Sequence, residues 1–173
     1  MRLAVTGTPG TGKTTATELL ADRWEDAPEV IHLNERIKGD DDLWTERDDD
    51  RGGSRVVDLE AVREELGDWE GILESHLAHH FDADAVVVLR CAPAVIEERL
   101  RERGESAESA AENAESEALD VVLAEAVERF GRENVYEIDT TDRSPAEVAD
   151  AIRAVLEGDR EPSAGTVDFT GYI

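Results

Sequence analysis

The 173 residues carry 43 acidic and 18 basic side chains, a formal net charge of −25, and the acids are spread along the whole length instead of blocked at one end. That spread argues against an acid-tailed or nucleic-acid-mimicking protein and for a chain adapted to high salt, where a Debye length of about 3 Å at molar ionic strength screens the repulsion. The single cysteine, Cys91, excludes an internal disulfide and a cysteine-based metal site. Hydrophobic residues make up 40% of the chain but are clustered, so a folded core is expected, with about 70% of the unfolded surface buried in a domain of this size. No segment reaches membrane-spanning length and no signal-type apolar run opens the chain, which predicts a cytoplasmic protein without a membrane partner.

In chain order, Leu3 to Val5 form a short apolar strand that breaks at a Gly-rich loop, and Lys13 to Trp24 have helical apolar spacing through Ala16, Leu19 and Leu20. Val30 to Leu33 predict a second strand. The stretch from Asn34 to Arg55 is polar and loop-rich, with Arg36, Lys38, Arg47, Arg51 and Arg55 among many Asp. A helix over Leu59 to Leu66 and a strand over Gly71 to Leu73 follow. Ala85 to Leu89 is apolar at every position, as a parallel strand covered on both faces should be. Helices are predicted over Val95 to Arg103 and over Ala118 to Phe130, the latter with Leu119, Val122, Leu123 and Ala126 on one stripe. Val135 to Ile138 is the last strand. Ser144, Pro145 and Glu147 supply the cap, first-turn proline and third-position acid of a helix that runs to Leu156 and stops at Gly158. Alternating strands and helices imply an α/β fold, a parallel sheet with right-handed crossovers. The last sixteen residues, ending in Phe169 and Tyr172, read either as a loose tail or as a peptide that docks on a partner or back onto the domain.

Gly7-Thr8-Pro9-Gly10-Thr11-Gly12-Lys13-Thr14 matches G-x-x-x-x-G-K-[ST] in full, between a predicted strand and a predicted helix. Glycines let successive N–H groups of the loop turn toward phosphate oxygens, and the helix start adds the positive end of its dipole. The pattern assigns the Gly10, Thr11 and Gly12 backbone and Thr15 to nucleotide phosphates, Lys13 to the β- and γ-phosphates, and the Thr14 hydroxyl to magnesium. With sixteen Arg and two Lys in the chain, a lysine kept at position 13 suggests that arginine would not serve there. The expected ligand is ATP with Mg2+.

Further residues fall in order along the chain: Glu74-Ser75-His76, Val88-Leu89-Arg90-Cys91, Glu98-Arg99-Leu100, Arg103-Gly104, Glu117-Ala118-Leu119-Asp120 and Glu137-Ile138-Asp139-Thr140-Thr141. With the loop they resemble the archaeal branch of the adenylate kinase isoenzyme 6 family, whose eukaryotic member is the coilin-interacting nuclear ATPase. The resemblance covers residues 1 to about 157. It implies a P-loop NTPase three-layer α/β/α fold with a five-stranded parallel sheet, a nucleoside monophosphate kinase core with a monophosphate arm at about 34–58 and a short lid at about 103–113, followed by the 158–173 tail. It also implies adenylate kinase and ATPase activity on ATP and AMP, and a role in small-subunit maturation through a small-subunit ribosomal protein and the pre-ribosomal particle, without direct sequence-specific nucleic-acid binding.

Glu74 and His76 stand where the family has Asp-x-His, so this chain has a carboxylate one methylene longer. The resemblance implies that Glu74 holds magnesium or its water shell and that His76 orients or deprotonates the attacking group. Arg103 matches the arginine that contacts ATP phosphates in relatives, and Arg99 lies one turn back. Lys38 is the candidate for the acceptor phosphate, ahead of Arg36, Arg47, Arg51 and Arg55. Asp139-Thr140-Thr141 should face the adenine side. The lid from Glu105 to Glu112 holds no basic residue, which favours leakage of the phosphoryl group to water. His76, His79 and His80 have i, i+3, i+4 spacing, but no cysteine and no clear fourth ligand supports a metal site, so His79 and His80 read as loop or helix-surface residues. An alternative function is an ATP-driven assembly switch in which kinase activity is incidental.

Overall fold

A computed structural model describes residues 1–44 and 56–173. Five parallel strands, β1 (Arg2–Thr6), β2 (Val30–His32), β3 (Gly71–Glu74), β4 (Ala85–Arg90) and β5 (Val135–Asp139), lie in the order β2-β3-β1-β4-β5. The helices among the described residues are α1 (Lys13–Arg23), α2 (Leu33–Lys38), α3 (Leu59–Leu66), α4 (Pro93–Glu102), α5 (Ala107–Ala118), α6 (Val121–Phe130) and α7 (Pro145–Glu157). The α/β class and the five-stranded parallel sheet are as expected, with two layers of helix around it.

Strand alternation divides the core. Leu3, Val5, Ile72, Val87 and Leu89 face α1 and α7, meeting Ala16, Leu20, Val148 and Ile152. Ala4, Leu73, Val86 and Val88 face the other way onto Val62 of α3 and Leu123 and Ala126 of α6. Burial of all six β4 residues on alternate faces explains the unbroken apolar run from Ala85 to Leu89; the sixth, Arg90, is a buried cation. The predicted capping box of α7 is present, with Ser144 Oγ accepting from Glu147 N and the Glu147 side chain accepting from Ser144 N, and Gly158 closes the helix in the left-handed region.

The region after β4 differs from the sequence reading. A helix over Ala118 to Phe130 was expected; instead the chain ends α5 at Ala118 and starts α6 at Val121, because Asp120 takes φ 57° between them. Leu119, placed on a buried stripe by periodicity, is 54% exposed. Residues 103–113, the expected lid, are the α4–α5 turn and the first half of α5. Ala110 packs there against Ile96 and Leu100, a helical hairpin instead of an open loop.

The polar stretch after β2 also carries structure that the sequence reading missed. It opens with α2, whose Leu33 and Ile37 are buried, and Trp44 Nε1 donates to the Ile37 carbonyl at 2.8 Å. Trp44 bridges to Val57, tying the two described ends of the arm together. Arg47, Arg51 and Arg55 lie outside the described residues.

The tail is docked. Ser163 N donates to the Val135 carbonyl of edge strand β5 at 3.0 Å. Glu137 Oε1 accepts from Thr166 N, Thr166 Oγ1 and Val167 N at 2.8, 2.9 and 2.7 Å. The Phe169 ring covers the Arg90 guanidinium at 5.4 Å, and Tyr172 Oη donates to Glu97 of α4 at 2.9 Å.

Candidate functional site

The carboxyl ends of β1, β3 and β4 converge on the Gly-rich loop, the place where open α/β sheets hold ligands. β1 ends at Thr6, the loop runs over residues 7–12, and α1 begins at Lys13. A Cβ on Gly7 would stand 2.6 Å from the Leu89 carbonyl oxygen and 2.9 Å from Thr11 Oγ1, so only glycine lets the loop cross the end of β4 this closely. Gly12 precedes α1 at φ 89°, a left-handed conformation where glycine is needed although the space around it is open.

Lys13 is 7% exposed and folds back into the loop. Its Nζ donates to the Gly7 and Thr8 carbonyls at 2.9 and 3.0 Å and to Thr11 Oγ1 at 3.4 Å. Among the described residues no carboxylate touches it, and burial lowers its pKa to about 8 against the partial support of Glu74 and Glu117. The Thr8 hydroxyl beside it is buried without a partner. A buried lysine, an unpartnered hydroxyl and a helix start together make a cradle suited to an anion.

The next residue, Thr14, is exposed, and its Oγ1 donates to Glu74 Oε1 at 2.8 Å. Glu74 ends β3 and is 2% exposed; its second oxygen lies 3.0 Å from His32 Nδ1. A hydroxyl and a carboxylate, both hard oxygen donors at the edge of the phosphate cradle, are the donor set that suits Mg2+. The two residues assigned to magnesium from the sequence, 60 positions apart, are therefore neighbours.

His76 sits just beyond. Burial first, and then the nearby Lys13, His79 and His80, lower its pKa to about 4, so the ring is neutral at working pH. Ser75 Oγ donates to Asn34 Oδ1 at 2.7 Å, which turns the Asn34 amide nitrogen toward His76 Nδ1 at 3.4 Å. Nδ1 is thus an acceptor and the ring hydrogen stays on Nε2. His79 takes a different path. It is 1% exposed, with Nδ1 2.7 Å from Thr6 Oγ1 and Nε2 2.6 Å from Glu125 of α6. The expectation of a surface position fails for His79, because the turn after β3 presses it onto the sheet. The ligand atoms of His79, His80 and Glu125 lie within 4.8 Å of one another, but His76 is not among them and His79 is already bonded at both nitrogens.

On the other side of the loop, a cleft of about 160 Å³ is lined by Gly10, Thr11, Gly12, Thr15, Arg99, Arg103, Thr140, Arg143 and Pro145. Arg103 is exposed at the end of α4, and Arg99 Nη1 donates to the Gly10 carbonyl at 3.0 Å. Thr140 Oγ1 lies 3.3 Å from the Thr11 carbonyl, which places the Asp139-Thr140-Thr141 turn against the loop.

Gly10, Thr11, Gly12, Lys13, Thr14, Thr15, Glu74, His76 and Arg103 are thus gathered around one loop. Lys38 is not: it stands exposed in the last turn of α2, and its side chain makes no hydrogen bond or ion pair with the described residues. Sequence reading missed His32, Asn34 and Arg143. The β2 pattern around His32 was visible, but the register that sets it opposite Glu74 was not.

The family model described as "AAA domain" matches residues 3–120. A protein named "Putative adenylate kinase" from Natronomonas pharaonis is 61% identical over the full length of both chains. Its namesake from Halobacterium salinarum is 59% identical, again over both full lengths, and that from Methanocaldococcus jannaschii is 39% identical over 98% of this chain and 93% of its own. Among solved structures, deoxyadenosine kinase from M. mycoides with bound dATP is similar in fold, with TM-score 0.54 and 13% identity over 91% of this chain and all of that one. Shikimate kinase from Bacteroides thetaiotaomicron gives TM-score 0.51 and 18% identity over 91% of this chain and 98% of that one. The chain belongs to the AAA domain family and, within it, to the archaeal proteins that carry the adenylate kinase name.

Proposed function

We propose that the chain transfers the γ-phosphoryl group of ATP to AMP with Mg2+, hydrolysing ATP alongside. The observation that carries this reading is the Lys13, Thr14 and Glu74 constellation, a buried amine bonded to carbonyls and a hydroxyl, with no anion on it among the described residues, beside a pair of oxygen donors suited to a cation. Its relatives' name points to the same chemistry. When bound, the cation would neutralise charge on the phosphates; Thr14 and Glu74 would hold it directly or through water. Lys13 exchanges carbonyl partners for phosphate oxygens, Arg103 adds charge from α4, and the backbone of Gly10, Thr11 and Gly12 with Thr15 orients the nucleotide. His76, neutral and with its hydrogen on Nε2, positions the attacking group by donating, and needs no proton transfer of its own. Residues 34–58 act as the monophosphate arm, with Lys38 as its acceptor-phosphate contact, and residues 103–113 as the lid.

The resemblance to the adenylate kinase isoenzyme 6 branch supports a second reading, in which the same ATP cycle switches a contact with a ribosomal partner. A net charge of −25 suits a basic protein partner, and the lack of any basic residue from Glu105 to Glu112 suits hydrolysis better than transfer.

The experiment is ADP formation from ATP and Mg2+ in molar KCl, with and without AMP and with an EDTA control. The expected result is slow ADP and phosphate formation from ATP alone and a rise on adding AMP, the AMP-dependent part giving about two ADP per ATP consumed. Phosphate release that ignores AMP would put the switch reading first.

A further inference from the structure

His32 has no part in the chemistry assigned above, yet it is built into the site. It is the last residue of β2 and the residue before α2. In the β2–β3 register its Cα partner is Glu74, and paired residues of parallel strands send their side chains to the same face. The sheet therefore delivers the imidazole to the carboxylate. Glu74 divides its two oxygens: Oε1 takes the Thr14 hydroxyl at 2.8 Å, and Oε2 faces His32 Nδ1 at 3.0 Å. The Glu74 side chain is 2% exposed and that of His32 21%, so little water competes for Oε2.

A glutamate has three rotatable side-chain bonds, and one contact at its tip leaves the plane of the carboxylate free to turn. Two contacts on opposite oxygens fix both its position and its orientation. We propose that His32 is a positioning residue of the cation site: its Nδ1–H holds Glu74 Oε2 so that Oε1 stays directed at Thr14 and the phosphate cradle. This rests on the reading of Thr14 and Glu74 as the magnesium side. Because α2 begins at the next residue, the same bond ties the carboxylate to the root of the monophosphate arm.

A purely structural cross-strand pair would affect stability without selecting for the cation. The test is Mn2+ binding to the ADP-loaded protein in molar KCl, followed by electron paramagnetic resonance, beside ADP binding in EDTA. H32L removes the donor and is expected to weaken Mn2+ about tenfold, with ADP affinity in EDTA changed by no more than about twofold. H32N keeps an amide donor near the Nδ1 position and should stay within about threefold of the wild type. E74Q should lose at least as much Mn2+ affinity as H32L. Wild-type Mn2+ affinity in H32L while E74Q is weakened would overturn the role of His32. So would an H32N as weak as H32L, since ring bulk rather than the donor would then matter. Wild-type affinity in E74Q would remove the reading of Glu74 itself, and the His32 inference with it. If H32L does not fold, H32A gives the same comparison without added bulk at the strand end.

Discussion

Lys13 and Arg90 are both buried cations at the carboxyl end of the sheet, 7% and 0% exposed, but their partners differ in kind. Arg90 is saturated by acids: Nε meets Glu117 at 2.8 Å, Nη1 meets Glu137 at 2.8 Å, and Nη2 meets Asp120 at 2.5 Å. Burial opposes its charge, but Glu117 and Asp120 outweigh burial and raise its pKa. Lys13 has only carbonyls and a hydroxyl within reach, and burial wins there, lowering its pKa to about 8. A buried charge that the fold has fully neutralised holds structure together. One left half-neutralised is available to a ligand.

The largest effect should come from breaking the saturated side. R90M would strand Glu117 and Glu137 as buried carboxylates and is expected to lower folding stability by about 3–5 kcal/mol, read by denaturant unfolding in molar KCl. A loss below about 1 kcal/mol would mean that the acids escape to water and the contrast with Lys13 is empty.

K13M tests the other side and should separate activity from stability. Turnover is expected to fall about 10²–10³-fold, the effect of losing one charged donor at a reacting phosphate. Stability should rise. Burial takes the Lys13 pKa from the ordinary 10.5 to about 8, so at pH 7 the fold carries an amine whose charge it disfavours, and methionine relieves a cost on the order of 3 kcal/mol. Destabilisation by K13M would show that the loop carbonyls depend on the amine.

This division was only half legible in the sequence. The loop motif announced Lys13 and Thr14 because their roles depend on local spacing, and β4 was plain because burial on both faces forces an unbroken apolar run. Arg90 was quoted only as part of a resemblance, since its partners come from α5, the turn before α6, and β5, and nothing local to β4 specifies them. Position 120 hid the break between α5 and α6, because an aspartate at φ 57° leaves no mark on helical periodicity. The helix at residues 107–118 was missed for a related reason. Its buried face is mainly alanine, Ala110, Ala114 and Ala118, too small to stand out from a polar stretch. His32 illustrates the remaining limit, for register between strands separated by 38 residues of arm and helix is a tertiary property.

The tail sharpens the comparison on a smaller scale, because it completes the neutral surroundings of Arg90. Glu137 gives Oε2 to Arg90 and Oε1 to Thr166 and Val167. T166V deletes one hydroxyl donor to that carboxylate while keeping shape and backbone, and should lower stability by about 2 kcal/mol. A double-mutant cycle in which T166V costs as much in E137Q as in the wild type would show the coupling to be absent.

The smallest expected effect is the pH dependence of nucleotide binding, which reads Lys13 through the proton it carries. In the empty protein the amine loses its proton near pH 8, whereas phosphate oxygens beside it would hold the charged form to higher pH. Binding above pH 8 must therefore take up a proton. ADP affinity without Mg2+ should be nearly flat from pH 6.5 to 7.5 and fall by roughly tenfold per unit above pH 8, little more than 1 kcal/mol between pH 7.5 and 9. Calorimetry at pH 9 in buffers of different ionisation enthalpy should register uptake approaching one proton. K13R, charged throughout this range, should bind ADP without the slope whatever its affinity. A slope that survives in K13R would assign the proton to another group and leave Lys13 no different from a saturated cation.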